Sequence, residues 1–289
     1  MKVSGFTFIR NALLLDYPVV ASIQSILPLC DEVIVAVGNS DDATRELIAQ
    51  IDPKVKIIDT IWDDSLRQNG AVLAQETDKA LAAIAPDADW ALYIQGDEVL
   101  HEADHASIKA AMQQYQQDTE VEGLLFDYLH FYGSYDYIGV SNNWYKKEIR
   151  IIRPRCEVFS YRDAQGFRRA DNQKLKVAPA HARVFHYGWV KDPRAMQRKQ
   201  AHFHRLWHDD TWLEKNIKPV QQFDYEDHIH ELARFQQTHP IYMQARIEQR
   251  NWTFETEPKR QKKRFKNRMK DVLRKVGIET NYRNYQLIR

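Results

Sequence analysis

The sequence predicts an α/β fold, a mostly parallel sheet flanked by helices, with a helical C-terminal extension. The prediction rests on two observations. Apolar, β-branched runs recur at Val3 to Ile9, Glu32 to Val37, Val55 to Ile61 and from Trp90 onward. Between them lie segments with helical spacing of apolar residues, and a βαβαβαβ order argues for parallel strands covered on both faces. The bulk values agree: 289 residues, 44% hydrophobic and 28% charged, describe a globular chain with a sizeable core.

Taken in order, Val3 to Ile9 is the first strand. Tyr17 to Leu29 follows as a helix, with Pro18 suited to its first turn. Glu32 to Val37 is the second strand. Asp42 to Ile51 is a short helix that Ser40 or Asp41 can cap. Val55 to Ile61 is the third strand, and Gly70 to Ile84 is helical. The fourth strand opens at Trp90. After Asp104 the pattern changes to a polar helix up to about Gln117, then strands at Val121 to Tyr132, Glu148 to Arg153 and Ala182 to Tyr187. From Pro193 to about Arg250 the chain reads as helical and is crowded with His, Trp and Phe. The division is therefore residues 1–192 as the α/β domain, 193–257 as a helical aromatic and His-rich extension, and 258–289 as a basic segment.

Charge and cysteines bound the setting. The formal net charge is +1, yet Lys259 to Lys275 holds ten Lys/Arg against Asp271, so this segment carries +9 and the rest −8. Such a segment suits an anionic membrane surface or a solvated tail. Phe265, Met269 and Val272 share one face and favour the membrane. No RNA-binding motif accompanies the charge, so nucleic acid is not expected as a partner. Cys30 and Cys156 form neither a disulfide framework nor a metal cluster. There is no signal-peptide pattern and no apolar run of the ~20 residues that span a bilayer. A cytoplasmic protein is expected, peripheral to the membrane if the basic segment binds it.

The chemistry concentrates at strand ends. Trp90 to Leu100 reads as a buried strand interrupted by Asp97 and Glu98, and burying an unpaired carboxylate is costly. Two of them at a strand's C-terminal end, where open α/β sheets bind ligands, imply a cation or cationic partner, or else a turn that caps the next helix. Gly38-Asn39-Ser40-Asp41-Asp42-Ala43-Thr44 follows the second strand and suits either a nucleoside contact or helix capping. His186-Tyr187-Gly188-Trp189 offers an imidazole that is either a metal ligand or a satisfied core histidine. Asp163 lies in a loop with Arg168 and Arg169; it is a candidate general base or a surface ion pair. Glu148 and Asp171 are rival bases. His204 and His208 share a helix face, but His-Arg-Leu-Trp-His lacks the glutamate of a zinc protease.

Over Lys2 to Met196 these segments, in this order, resemble family 2 glycosyltransferases of the GT-A fold. Phe8-Ile9-Arg10-Asn11 is similar to that family's opening. The Gly38–Thr44 turn is similar to its Asp-Gly-Ser-x-Asp-x-Thr turn, with Gly38 in place of the first Asp and Asp42 matching the later one. Trp90 to Glu98 resembles the strand carrying Asp-x-Asp, with Gln95 in place of the first Asp and Asp97 as the last. His186-Tyr187-Gly188 resembles its late His-Tyr-Gly element.

The resemblance implies transfer of a sugar from a nucleotide-diphosphate donor to a glycan or lipid-linked glycan acceptor, with inversion. It implies Mg²⁺ or Mn²⁺ held by Asp97 and His186, and a base, for which Asp163 is the candidate. Arg10, Asn11, Asp42, Gln95 and Asp97 would face the nucleotide or donor. Glu98, Arg168 and Trp189 would support the site or face the acceptor. Two other classes remain: a nucleotide- or glycan-binding protein on a degenerate scaffold of this kind, and a sugar nucleotidyltransferase. The latter calls for a Gly-rich phosphate loop, which Arg10-Asn11-Ala12-Leu13-Leu14 is not.

Overall fold

The computed structural model describes residues 1–66, 70–208, 210–216, 221–226, 231–257 and 283–288. Its first half alternates as expected: β1 (Val3–Ile9), α1 (Val19–Ile26), β2 (Glu32–Gly38), α2 (Thr44–Ala49), β3 (Val55–Thr60), α3 (Ala71–Ala82) and β4 (Trp90–Tyr93). β4, β1, β2 and β3 lie side by side in that order, all parallel. Helices cover both faces, and alternation along the strands divides the core accordingly. Val33, Val35, Val37, Trp90 and Leu92 pack into one cluster with Ile23, Ile48 and Met112. Ile34, Ala36, Ala91 and Tyr93 point the other way, into a cluster with Ala80 and Phe167. Burial on both faces is why these strands read as continuous apolar runs.

Beyond β4 the sheet becomes mixed. β5 (Glu98–Leu100), α4 (His105–Gln114), β6 (Gly123–Tyr132), β7 (Ser134–Gly139) and β8 (Lys147–Ile152) follow. β8 lies between β4 and β6 and runs antiparallel to both. The fifteen-residue β11 (Leu175–Trp189) pairs parallel with β6 and antiparallel with β5. The segment from Trp90 to Leu100 is thus two strands. Glu98 N–H donates to the Gln95 carbonyl at 3.0 Å, and this turn sends β5 onto β11. A separate hairpin joins β9 (Val158–Tyr161) to β10 (Gly166–Arg169).

The C-terminal part is less helical than expected. α5 (Pro193–Arg205) and α6 (Asp210–Asn216) are helices, but β12 (Leu232–Arg234) pairs antiparallel with β7 at the sheet edge. Among the described residues, the short α7 (Gln244–Glu248) is the one α-helix that follows. At the end of the chain, β13 (Tyr285–Leu287) pairs parallel with β11. The basic segment is therefore anchored to the body at its far end. The Lys259 to Lys275 run and its proposed membrane face lie outside the described residues. No helix among the described residues is long and apolar enough to cross a membrane.

Candidate active site

A cavity of about 290 Å³ opens where β1 and β4 end, between the sheet and α5. This is the edge where parallel α/β sheets bind ligands, because chain reversal there leaves a crevice between strand ends. Arg10, Gln95, Asp97, Asp163, His186 and Trp189 line it, together with Lys199, which the sequence reading missed.

Asp97 is presented by a pinned turn. Ser22 Oγ donates to the Gln95 carbonyl at 2.8 Å, and Tyr187 N–H donates to the Asp97 carbonyl at 2.8 Å. Its carboxylate has two neighbours of different kinds. Lys199 Nζ donates to Oδ2 at 3.1 Å and to the Gly188 carbonyl at 2.8 Å. His186 Nε2 stands 3.8 Å from Oδ1. Burial pushes the Asp97 carboxyl upward, but Lys199, His186 and Lys191 together outweigh it and hold it well below the usual carboxylate range. Burial lowers the His186 imidazole against the pull of Asp97 and Glu98.

Lys199 arrives there by helix geometry. Pro193 starts α5, and the Asp192 side chain accepts from Arg194 N–H at 2.8 Å. Lys199, Gln200, Phe203 and Leu206 then recur at helical spacing on the face toward the cavity. The ammonium also lies 5.0 Å above the Tyr17 ring. Burial lowers its pKa, but Tyr17 and Asp97 reverse that and leave it raised, so it is charged. Lys191 is fully buried nearby; it bonds the Asp16 carbonyl and lies 4.4 Å from the Tyr17 ring.

The two adjacent carboxylates have separate tasks. Glu98 faces away from the cavity with no solvent exposure, paired with Arg150 at 2.7 and 2.8 Å. Tyr128 Oη and Gln95 N–H also donate to it, at 2.7 and 3.1 Å. It is a structural anchor behind the site. Gln95 lines the cavity and donates from Nε2 to the Ala164 carbonyl at 3.1 Å, tying the Asp163 loop to β4.

Of the three candidate bases, Asp163 alone lines the cavity. Its neighbours Arg162 and Ala164 both have positive φ, at 58° and 64°, so a tight turn projects it. Burial raises its carboxyl above the ordinary range. Glu148 is buried behind it, pushed up to about 8 by desolvation, and accepts from Gln165 Nε2 at 2.9 Å. Asp171 is exposed and interacts with Arg169 at 3.8 Å and Gln173 N–H.

Several expected ligand contacts are used internally. Asp42 accepts from Leu14 N–H at 2.7 Å and from Thr44 N–H at 3.0 Å, which is the capping alternative. Asn11, with φ 54°, exchanges hydrogen bonds with Asp41 at 2.7 and 3.1 Å. Neither lines the cavity. Arg168, expected to support the site or face the acceptor, does not line the cavity: it is buried against Tyr161 and donates to Asn284 Oδ1 at 2.5 Å, fastening the chain end. Arg10 donates to the Asn39 carbonyl and Asp64 and lies 5.6 Å from the Trp62 ring. Gly38 has a steric reason: a Cβ there would sit 2.3 Å from Trp62 Nε1, so the indole occupies the space a carboxylate side chain would need.

Among the described residues no group of three or more His, Cys, Asp or Glu is suited to a metal ion. The donor set Asp97 Oδ1 and His186 Nε2 nevertheless fits a divalent cation whose remaining positions are filled by diphosphate oxygens and water. A Cβ on Gly188 would lie 2.7 Å from His186 Nε2 and 2.8 Å from Asp97 Oδ2, so glycine keeps this gap open.

No family model matches the chain, and no curated protein matches it. Among solved structures, S. aureus TarS 1-349 in complex with UDP-GlcNAc is similar over 76% of this chain and 68% of its own, at 12% identity and TM-score 0.42. The longer S. aureus TarS structure is similar over 70% of this chain, at 11% identity and TM-score 0.40, and this chain spans 39% of it. Glucosyl-3-phosphoglycerate synthase from Mycobacterium tuberculosis, in complex with Mn²⁺, UDP and phosphoglyceric acid, is similar over 45% of this chain and 43% of its own. Its identity is 16% and its TM-score 0.30.

Proposed function

We propose that this chain is a glycosyltransferase that moves a sugar from a nucleotide-diphosphate donor to an acceptor hydroxyl with inversion, in the synthesis of cell-surface glycans. The observation that carries the reading is the meeting, in one cavity, of Asp97, His186 and Lys199 with a buried carboxylate of raised pKa at Asp163. A phosphate-binding centre and a candidate base in one crevice are what glycosyl transfer from a diphosphate requires.

In this reading Arg10, Gln95 and the Trp62 wall face the nucleoside. Asn11 and Asp42 act indirectly, by holding the loops that shape its pocket. Lys199 approaches the diphosphate and neutralises part of its charge. Asp97 and His186 hold Mg²⁺ or Mn²⁺, which when bound supplies a Lewis acid against the leaving diphosphate. Asp163 takes the proton of the acceptor hydroxyl as its oxygen attacks the anomeric carbon. The bond from that carbon to the diphosphate oxygen breaks, and the electron pair leaves with the nucleoside diphosphate. Inversion follows from this single displacement. Trp189 shapes the acceptor side, where an aromatic face suits the apolar face of a sugar ring. The basic segment would bring the enzyme to a lipid-linked acceptor at the inner membrane surface.

Donor hydrolysis and transfer across a panel of nucleotide sugars with Mn²⁺ test the reading. Turnover of at least one donor is expected. Asp163→Asn should lower the rate by about 10²–10⁴ while leaving donor binding in place. A folded protein that turns over no donor refutes the enzyme, and unchanged transfer by D163N removes Asp163 as the base.

A further inference from the structure

His130 lies directly beside His186, in register across the parallel pair β6 and β11. The two rings meet nitrogen to nitrogen, His130 Nδ1 to His186 Nδ1 at 3.0 Å. The other nitrogen of His130 stands 2.8 Å from the Tyr145 carbonyl oxygen. His130 is 1% exposed, stacked between Tyr128 and Trp144 with the Tyr145 ring edge-on, so no water competes for these contacts.

This arrangement dictates where the protons are. A carbonyl oxygen only accepts, so His130 Nε2 must carry its hydrogen. Enclosed by three aromatic rings and met at its two nitrogens by a carbonyl oxygen and a second imidazole, His130 has no carboxylate on either nitrogen to offset a buried charge, so it carries one hydrogen, on Nε2, and its Nδ1 holds a lone pair. The 3.0 Å contact then requires His186 Nδ1 to be the donor. A neutral His186 with its hydrogen on Nδ1 has a lone pair on Nε2. That lone pair faces Asp97 Oδ1 at 3.8 Å, across the gap that Gly188 leaves open. The Lys199 ammonium meets the other oxygen of that carboxylate at 3.1 Å, which leaves Oδ1 as the oxygen nearest His186 Nε2.

We propose that His130 is a positioning residue that locks His186 in the Nδ1–H tautomer, so that its Nε2 is held as an electron-pair donor for a divalent cation shared with Asp97. The Tyr145 carbonyl, His130 and His186 form a directional relay whose polarity is fixed at the backbone end. A ligating histidine is ordinarily oriented by a carboxylate, a carbonyl or water at its other nitrogen. Here a second histidine does this, and the carbonyl behind it sets its direction. The proposal rests on the reading of Asp97 and His186 as the phosphate-binding end of the cavity. Its test needs no nucleotide, so the two fail separately.

The tautomer is read directly by long-range ¹H–¹⁵N correlation of the histidine rings in the nucleotide-free, metal-free protein, with the His186 signals assigned by their loss in His186→Gln. The expected wild-type pattern is Nδ1–H for His186 and Nε2–H for His130. His130→Leu, which removes the acceptor, should return His186 to the Nε2–H form. His130→Asn, whose Oδ1 offers an acceptor near the lost Nδ1, should retain Nδ1–H. Added Mn²⁺ alone should broaden the wild-type His186 ring signals, with the midpoint shifted about 10–100-fold higher in H130L. A wild-type His186 in the Nε2–H form overturns the proposal, and that measurement decides if H130L does not fold. An unchanged tautomer or an unchanged Mn²⁺ midpoint in folded H130L overturns it too.

Discussion

Replacing Glu98 by Gln should cost far more stability than a one-atom change suggests. Four donors converge on this buried carboxylate, two on each oxygen. Oε1 receives Tyr128 Oη and Arg150 Nη2, both at 2.7 Å. Oε2 receives Arg150 Nε at 2.8 Å and Gln95 N–H at 3.1 Å. A glutamine has one acceptor oxygen, so whichever way the amide lies, its NH₂ confronts two of the four donors. The Arg150 guanidinium, 1% exposed, also loses its counter-charge. Breaking one partner of a buried pair costs about 3–5 kcal/mol. At about 2–4 °C per kcal/mol for a chain of this size class, the apparent melting temperature should fall by about 6–20 °C. Thermal and urea melts of E98Q against wild type measure it. Glu98→Leu combined with Arg150→Met, which removes both charges, should recover much of the loss. A loss below about 1 kcal/mol in E98Q, the range of an exposed pair, would refute the reasoning.

Three further outcomes follow from the same geometry. Glu148 is held near pH 8 when folded against an ordinary 4.5, so the folded state keeps a proton that the unfolded state has released between those values. Its contribution is present below about pH 4.5 and is lost as pH rises toward 8, at about 1.4 kcal/mol per pH unit. Glu148→Gln should lack that slope in urea melts at pH 5 and 7.5, and equal slopes would remove the argument. Gly188→Ala drives a methyl group between His186 and Asp97, and overpacking of about 1–3 kcal/mol should fall on Mn²⁺ and diphosphate binding measured by calorimetry. Lys199→Met should weaken nucleotide-diphosphate binding about 10–150-fold, the value of a charge-assisted hydrogen bond, and an unchanged affinity would place the phosphates elsewhere.

Much of the parallel half was legible in the sequence because its physics is local. Val33 to Val37 is buried on both faces, so it reads as an uninterrupted apolar run whatever lies beside it. The hairpin from Val158 to Arg169 and the three-residue Leu232–Arg234 strand carry no such signal, since polar residues and partner strands decide them. The paired carboxylates announced a site, but not their different roles. Those depend on the turn at Gln95 and on Arg150, fifty-two residues away. Asp97 and His186 were singled out from the sequence and do converge. Lys199 was hidden in a run that looks like an ordinary amphipathic helix, and His130 in a strand, Leu-His-Phe-Tyr, where a lone histidine attracts no notice. Asp42 shows the opposite failure: its motif is visible, yet the carboxylate is spent on capping backbone N–H groups.

The central claim, that the Asp97 end of the cavity binds the diphosphate of a sugar donor, is tested most directly by calorimetric titration of the folded protein. Uridine, guanosine and adenosine diphosphates would be titrated with Mn²⁺, side by side with Asp97→Ala. The account predicts saturable binding of at least one of them by wild type and its loss in D97A. Binding of none, or undiminished binding by D97A, would contradict it.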